Sequence, residues 1–274
     1  MKRIKLVSIF LVMMILLISC TQKEKDAMNS ADNESKHTDN ITEATATPTL
    51  EPTPTPEPTP TPEPEMDYTG KKLVALTFDD GPNLDITPLI LDILEEREVV
   101  ASFFLIGKYI NEDTKPVMER QLELGCEIAN HSWNHSAMNQ LSVEEIQEEI
   151  KNTNDKINEM VGVTPKFFRP PYISVSNTMY EGIDLPFING INCLDWDGSV
   201  TAEERVQGIL NNVNDGDIVL LHDFSGNKNT VDALDDMITG LLDDGYALVT
   251  VSQLFELKGI DPNVEYKIWT NPEH

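Results

Sequence analysis

KLVALTFDDGP, residues 72–82, joins an apolar run to two adjacent carboxylates. Leu73 to Leu76 read as a buried strand, and Asp79-Asp80-Gly81-Pro82 closes it. Asp-Gly-Pro is ordinary turn chemistry, so one reading is a solvated turn. The other is a strand whose C-terminal end carries reactive acids, the position at which parallel α/β folds collect their chemistry. Successive strand side chains point to opposite faces, which predicts that Asp79 and Asp80 diverge. The rest of the chain separates the two readings.

From residue 67 onward, short apolar runs alternate with amphipathic ones. Strands are predicted over 72–78, 101–106, 126–129, 167–169, 187–193, 217–221 and 247–251, and helices over 86–96, 114–124, 143–160, 202–212 and 231–243. A capping box announces the longest helix, with Ser142 followed three residues later by Glu145. Such alternation predicts an α/β fold of parallel strands covered by helices. Seven strands suggest a distorted (β/α) barrel forming a single catalytic domain. An open doubly wound sheet is the alternative, but no glycine-rich phosphate fingerprint opens any helix. Five of the seven strand ends carry polar residues able to act on a bond: Asp79-Asp80, HSWNH at 131–135, RPPY at 169–172, Asp195-Trp196 and His222-Asp223. Turns alone do not produce that recurrence on one rim.

His131 and His135, separated by three residues, would lie on one side of a helical turn, a common way to hold a divalent metal. Alone the spacing is weak. Here, however, only three histidines precede His274 in the domain, and all three fall at predicted strand ends. A carboxylate from the first strand would complete a two-histidine, one-carboxylate site with positions left for water and substrate. Such donors accept zinc, cobalt, nickel or manganese, with zinc or cobalt expected first.

The N-terminal part is of another kind. Lys2, Arg3 and Lys5 precede an apolar run over 6–19 that ends at Cys20, too short to span a bilayer comfortably. This resembles a bacterial lipoprotein signal (1–20), in which Cys20 is lipidated. An uncleaved anchor is the alternative, and both place the remainder outside the cytoplasmic membrane. Residues 21–66 are polar, without apolar periodicity, and end in Thr-Pro-Glu repeats. They read as a disordered tether, whose proline-rich half could reach roughly 60 Å in polyproline geometry. Residues 67–274 are enough for one substantial core. Cys126 and Cys193, its only cysteines, sit in apolar runs and are expected as free thiols rather than a disulfide. The chain carries 47 Asp and Glu against 20 Lys and Arg, a net charge of −27, which disfavours nucleic acid and anionic polymers as partners. Nothing signals an oligomer, so a monomer is expected.

TFDDGP, HSWNH, RPPY, DW and LLH, in this order, resemble the five motifs of the NodB-homology polysaccharide deacetylases, carbohydrate esterase family four. The resemblance runs from about residue 71 to 257 and implies a distorted (β/α) barrel. It implies Asp80, His131 and His135 as metal ligands and Asp79 as the general base, with Arg169 pairing to that base and keeping it ionised. Tyr172 corresponds to the residue whose backbone N–H stabilises the oxyanion, His222 to the general acid, Asp195 to the carboxylate orienting it, and Trp196 to a wall of the acetyl pocket. Read from the residues alone, Trp196 could be core packing, Arg169 could bridge surface carboxylates, and Asp197 could replace Asp195. Trp133 and Tyr172 are candidates for stacking on sugar rings. Two departures stand out: Ile173 where the family usually has glycine, and Cys126 where histidine is more common.

The function implied is a metal-dependent hydrolase of acetylated polysaccharide, anchored through Cys20 outside the bacterial cell membrane. N-acetyl groups of amino-sugar glycans, peptidoglycan or chitin-like, are the first expectation. O-deacetylation of xylan by the same machinery is the alternative, and the short fourth motif, residues 193–199, resembles that branch. A lipoprotein that binds glycans without catalysis would need neither base nor acid.

Overall fold

The structure, a computed structural model, describes residues 68–274. The signal-like segment, Cys20 and the tether lie outside the described residues. Strand β1 (Lys72–Asp79) is the centre of a parallel sheet. β2 (Ser102–Leu105) pairs with its C-terminal half, and β3 (Glu127–Asn130) pairs with β2. Single bridges from Asn130 to Phe168 and from Phe168 to Phe187 continue the pairing to β4 (Phe187–Ile188). Beyond a two-residue break, β5 (Ile191–Asn192) pairs with β6 (Ile218–His222), which lies against β1. The strands thus follow the course of an irregular (β/α) barrel whose ladder stays open between β4 and β5. β7 (Tyr246–Leu248) pairs with Lys72–Val74, and β8 (Ile268–Trp269) pairs with β4.

The helices are α1 (Thr87–Glu96), α2 (Lys115–Glu123), α3 (Val143–Val161), α4 (Asn177–Gly182), α5 (Ala202–Leu210), α6 (Lys228–Asp243) and α7 (Val251–Lys258). The box at Ser142 and Glu145 forms as expected and opens α3. Three expectations needed correction. The run 167–169 contributes one bridging residue rather than a strand, because Pro170 and Pro171 have no N–H to extend a ladder. The run 187–193 divides into β4 and β5. The last predicted strand ends at Leu248, and Thr250 with Gln253 forms a capping box that starts α7 at Val251. α4 and the two-residue β8 were too short to show a period.

Burial follows the strand period. Val74, Leu76 and Phe78 of β1 face outward into the larger core, with Ile90, Leu91 and Leu94 of α1 and Leu234, Met237 and Ile238 of α6. Leu73 and Ala75 face inward with Phe104, Ile188 and Ile218. Thr77 and Asp79 continue that inward row, so the barrel interior turns from apolar to polar toward the strand ends. Cys126 and Cys193 are buried free thiols, and burial pushes them up to about 11 and about 12.

Candidate active site

The two aspartates do not diverge as strand alternation predicts. Asp79 is the last residue of β1, but Asp80 is left-handed, with φ of 79°. That twist takes Asp80 off the strand and brings both carboxylates to one histidine. Nε2 of His131 lies 3.7 Å from Asp79 Oδ2 and 3.6 Å from Asp80 Oδ1, and Nε2 of His135 lies 3.5 Å from the same Asp80 oxygen. Glycine follows because space is lacking: a Cβ on Gly81 would lie 2.5 Å from Oδ2 of buried Asp223.

HSWNH is not a helical turn either. Ser132 and His135 are left-handed, with φ of 68° and 62°, and the loop's N–H groups are satisfied by side chains. Asn130 Oδ1 accepts from Ser132 N–H, Glu149 Oε2 from the N–H groups of Trp133 and Asn134, and Ser132 Oγ from His135 N–H. The loop brings the two imidazoles together with centroids 5.0 Å apart and planes tilted by 59°. Nδ1 of His131 lies 2.8 Å from the Arg169 carbonyl, which can only accept, so Nδ1 carries the hydrogen and Nε2 presents its lone pair to Asp80. Burial pushes His131 down to about 3, which keeps the ring neutral.

Donor atoms of Asp80, His131 and His135 all lie within 4.8 Å of one another, and the buried Asp80 Oδ1 has no hydrogen-bond donor. A carboxylate oxygen and two imidazole nitrogens so placed fit a divalent cation such as zinc or cobalt.

Arg169 lies fully buried inside the barrel, not on a surface. Its Nη1 donates to Asp79 Oδ1 (2.6 Å) and Thr77 Oγ1 (2.7 Å), its Nη2 donates to the Asn189 carbonyl (2.8 Å), and its guanidinium lies 4.1 Å from the Phe104 ring centroid. Burial pushes the Asp79 carboxyl above the ordinary aspartate value, and Arg169 pulls it back. Arg169 thus opposes the desolvation of its partner, the direction that the resemblance implied for it.

Across the cavity, His222 ends β6 and meets Asp195. Nδ1 lies 2.7 Å from Asp195 Oδ1, and the His222 backbone N–H donates to Oδ2 at 2.7 Å. Asp197 instead accepts from Ser199 N–H and Oγ, which settles the choice between the two aspartates. Burial opposes charge on the His222 imidazole, but the hydrogen bond and charge of Asp195, with Asp79 and Asp80 beyond, push it up to about 9.

Trp196 is 55% exposed, so it is no core residue. It lines a cavity of about 450 Å³ with Asp79, His131, Tyr172, Leu220 and His222. A larger hollow of about 820 Å³ adjoins it through Asp80, His135 and Tyr172, and Tyr109, Leu84 and Phe224 form its outer walls. Tyr172 is exposed and sets its ring edge-on to His135, centroids 4.6 Å apart. Trp133 does not join this groove. Its half-buried ring packs on Gly107, where a Cβ would lie 2.4 Å from it, away from the residues that line the two hollows. Ile173 has φ of 52°, a conformation that glycine adopts freely and a β-branched residue does not, which accounts for glycine as the usual residue at this position.

Thr77, Asn189, Arg205, Asn227 and Thr230 complete the surroundings without any sequence signal, because their partners are far away in the chain. Asp223 could have been noticed beside His222. It is buried, accepts from Thr87 Oγ1 at 2.5 Å, and burial pushes it up to about 7.

The sequence profile of the polysaccharide deacetylase family matches residues 67–184. A bifunctional xylanase/deacetylase of Pseudobutyrivibrio xylanivorans is 53% identical over 201 residues, covering 73% of this chain and 33% of that protein. A peptidoglycan-N-acetylglucosamine deacetylase of Listeria monocytogenes is 35% identical over 189 residues, covering 67% of this chain and 39% of its own. The chain thus spans between a third and two fifths of these relatives. The solved family 4 acetyl xylan esterase of Clostridium thermocellum, in complex with a cobalt ion, superposes with a TM-score of 0.71 at 42% identity over 73% of this chain and 98% of that one.

Proposed function

The chain belongs to the polysaccharide deacetylase family, and from that membership we propose that it removes O-acetyl groups from xylan by metal-assisted hydrolysis. The observation that carries the catalytic reading is convergence: Asp79, Asp80, His131, His135 and His222 line one cavity of about 450 Å³. Xylan is favoured over amino-sugar glycans because similarity is higher to the xylanase/deacetylase and the acetyl xylan esterase, at 53% and 42%, than to the peptidoglycan deacetylase, at 35%. The acidic chain also suits a neutral polymer. N-deacetylation of amino sugars, the first expectation from sequence, is the second reading, since the same residues serve an amide.

Asp80, His131 and His135 would hold the cation, which when bound acidifies water and polarises a carbonyl oxygen. Asp79, aimed by Arg169, takes the proton of the attacking water. Trp196, Leu220 and Ile173 wall the cavity with apolar surface for the acetyl methyl, and the Tyr172 backbone N–H is assigned to the developing oxyanion. His222, with Nδ1 engaged by Asp195, gives its Nε2 proton to the departing sugar oxygen. The domain is further proposed to act outside the cell membrane, tethered through Cys20. Cys20→Ala should then move the protein from the detergent phase to the aqueous phase on partitioning.

The deciding assay is acetate release by the metal-stripped chain after reconstitution with zinc or cobalt, on acetylxylan and on chitooligosaccharides in parallel. Asp79→Asn should lower turnover by about 10²- to 10⁴-fold. Release from the chitooligosaccharide alone would replace xylan by an amino sugar, and release unaffected by Asp79→Asn would defeat the assignment of the base.

A further inference from the structure

Arg205, on α5, is 1% exposed, and its guanidinium hydrogen-bonds to no carboxylate among the described residues. Nη1 donates to Asn227 Oδ1 at 2.8 Å and to Thr230 Oγ1 at 2.7 Å, Nη2 to the Asp197 carbonyl at 3.1 Å, and Nε to the Val200 carbonyl at 3.2 Å. A buried cation supported only by neutral acceptors is expensive to keep. Both side chains it touches lead to Asp195.

A guanidinium can only donate. The Thr230 hydroxyl, accepting from Arg205, has its single hydrogen left for Asp195 Oδ2, 2.9 Å away. The Asn227 amide, with Oδ1 fixed by Arg205, turns Nδ2 toward the His222 carbonyl at 2.8 Å and Asp195 Oδ2 at 3.4 Å. Asn227 occupies the N-cap position of α6, yet its side chain does not cap the helix. The His222 backbone N–H adds a third donor to Oδ2. Oδ1 is then left for His222 Nδ1, which must carry a hydrogen, and Nε2 is the atom free to take and release a proton.

We propose that Arg205 and Thr230 are positioning residues that occupy Asp195 Oδ2, aim Oδ1 at His222 Nδ1 and so hold the imidazole oriented as a general acid. This rests on the general-acid role proposed above for His222. In the step concerned, the Nε2–H bond breaks as its hydrogen bonds to the leaving oxygen or nitrogen. The electron pair stays on the ring, which becomes neutral, and the bond from the acyl carbon to the leaving atom is cleaved.

A general acid matters for a sugar leaving group and little for nitrophenolate, which departs without a proton. Kinetics of the full chain, loaded with zinc, are therefore compared on acetylxylan and on 4-nitrophenyl acetate for Thr230→Val, Thr230→Ser, Arg205→Met and, as reference, His222→Ala. The proposal expects kcat on acetylxylan to fall about tenfold or more for Thr230→Val and Arg205→Met, against about twofold on the aryl ester, with Thr230→Ser restoring the sugar activity. Equal losses on both substrates for Thr230→Val, with His222→Ala still selective, would show that the cluster merely holds the loop and would overturn the proposal alone. If His222→Ala itself shows no leaving-group selectivity, the general-acid reading fails and the proposal with it. If Arg205→Met does not fold, the wild-type protein remains decisive: a downfield Nδ1 proton resonance that vanishes in Thr230→Val supports the proposal, and its persistence there overturns it.

Discussion

The two flanks of the cavity are held by opposite physics. On one, Asp80, Ser132 and His135 are left-handed, and Asp80, His131 and His135 converge without satisfying one another, all three within reach of a common point. On the other, Asp195 is saturated by the His222 backbone and ring, Thr230 and Asn227, with Arg205 behind them. The first flank is strained backbone arranged around acceptors, suited to a partner that brings positive charge. The second is a finished hydrogen-bond network that needs nothing further. Convergent lone pairs thus point to a ligand, and saturated donors point to proton handling.

Arg169 stands between the flanks, bonded to Asp79 by side chain and to His131 by its carbonyl. Arg169→Met leaves a buried carboxylate unpaired and should destabilise the domain by about 3–5 kcal/mol, read from urea unfolding. A loss below 1 kcal/mol would mean that Asp79 is hydrated rather than held. The saturated flank should titrate. His222 is raised in the folded state, so its contribution is fully present below the unfolded value near 6.5 and is lost as pH climbs through about 9. It amounts to roughly 3 kcal/mol in the metal-stripped domain. Unfolding free energy measured from pH 6 to 10 should fall in that window, and the fall should disappear in His222→Ala. The convergent flank should respond to metal instead: zinc at a hundredfold excess over its dissociation constant stabilises by about 2.7 kcal/mol. Wild type and His222→Ala should show that rise in Tm, and Asp80→Ala should not. A rise retained in Asp80→Ala would place the cation elsewhere. The smallest effect concerns Ile173 in the cavity wall. Ile173→Gly relieves a left-handed β-branched residue and should stabilise by about 1 kcal/mol. Destabilisation there would show that the Ile173 side chain supports the cavity wall by packing.

Much of this site was legible because its residues lie at the ends of strands that announce themselves. Asp79 follows seven residues of β1, and His222 ends the apolar run of β6. Trp133, which the sequence offered as a sugar platform, was misplaced because the HSWNH segment is an irregular loop, and helical or strand periodicity says nothing about where a loop side chain goes. The same loop conformation, not a helical turn, pairs His131 with His135. Arg205 and Thr230 gave no signal, since nothing within their own neighbourhoods marks them as facing Asp195.

By itself the sequence determined the alternation of strands and helices, the acidic character of the chain, and which residue types reach the rim, because periodicity and composition are local properties. Only the tertiary structure decided that Asp79 and Asp80 meet at one histidine, that Asp195 rather than Asp197 holds His222, that Arg169 is buried inside the barrel, and that Trp196 rather than Trp133 faces the cavity. Each of these depends on a left-handed residue or on partners some thirty to ninety positions apart, and neither leaves a period in the chain.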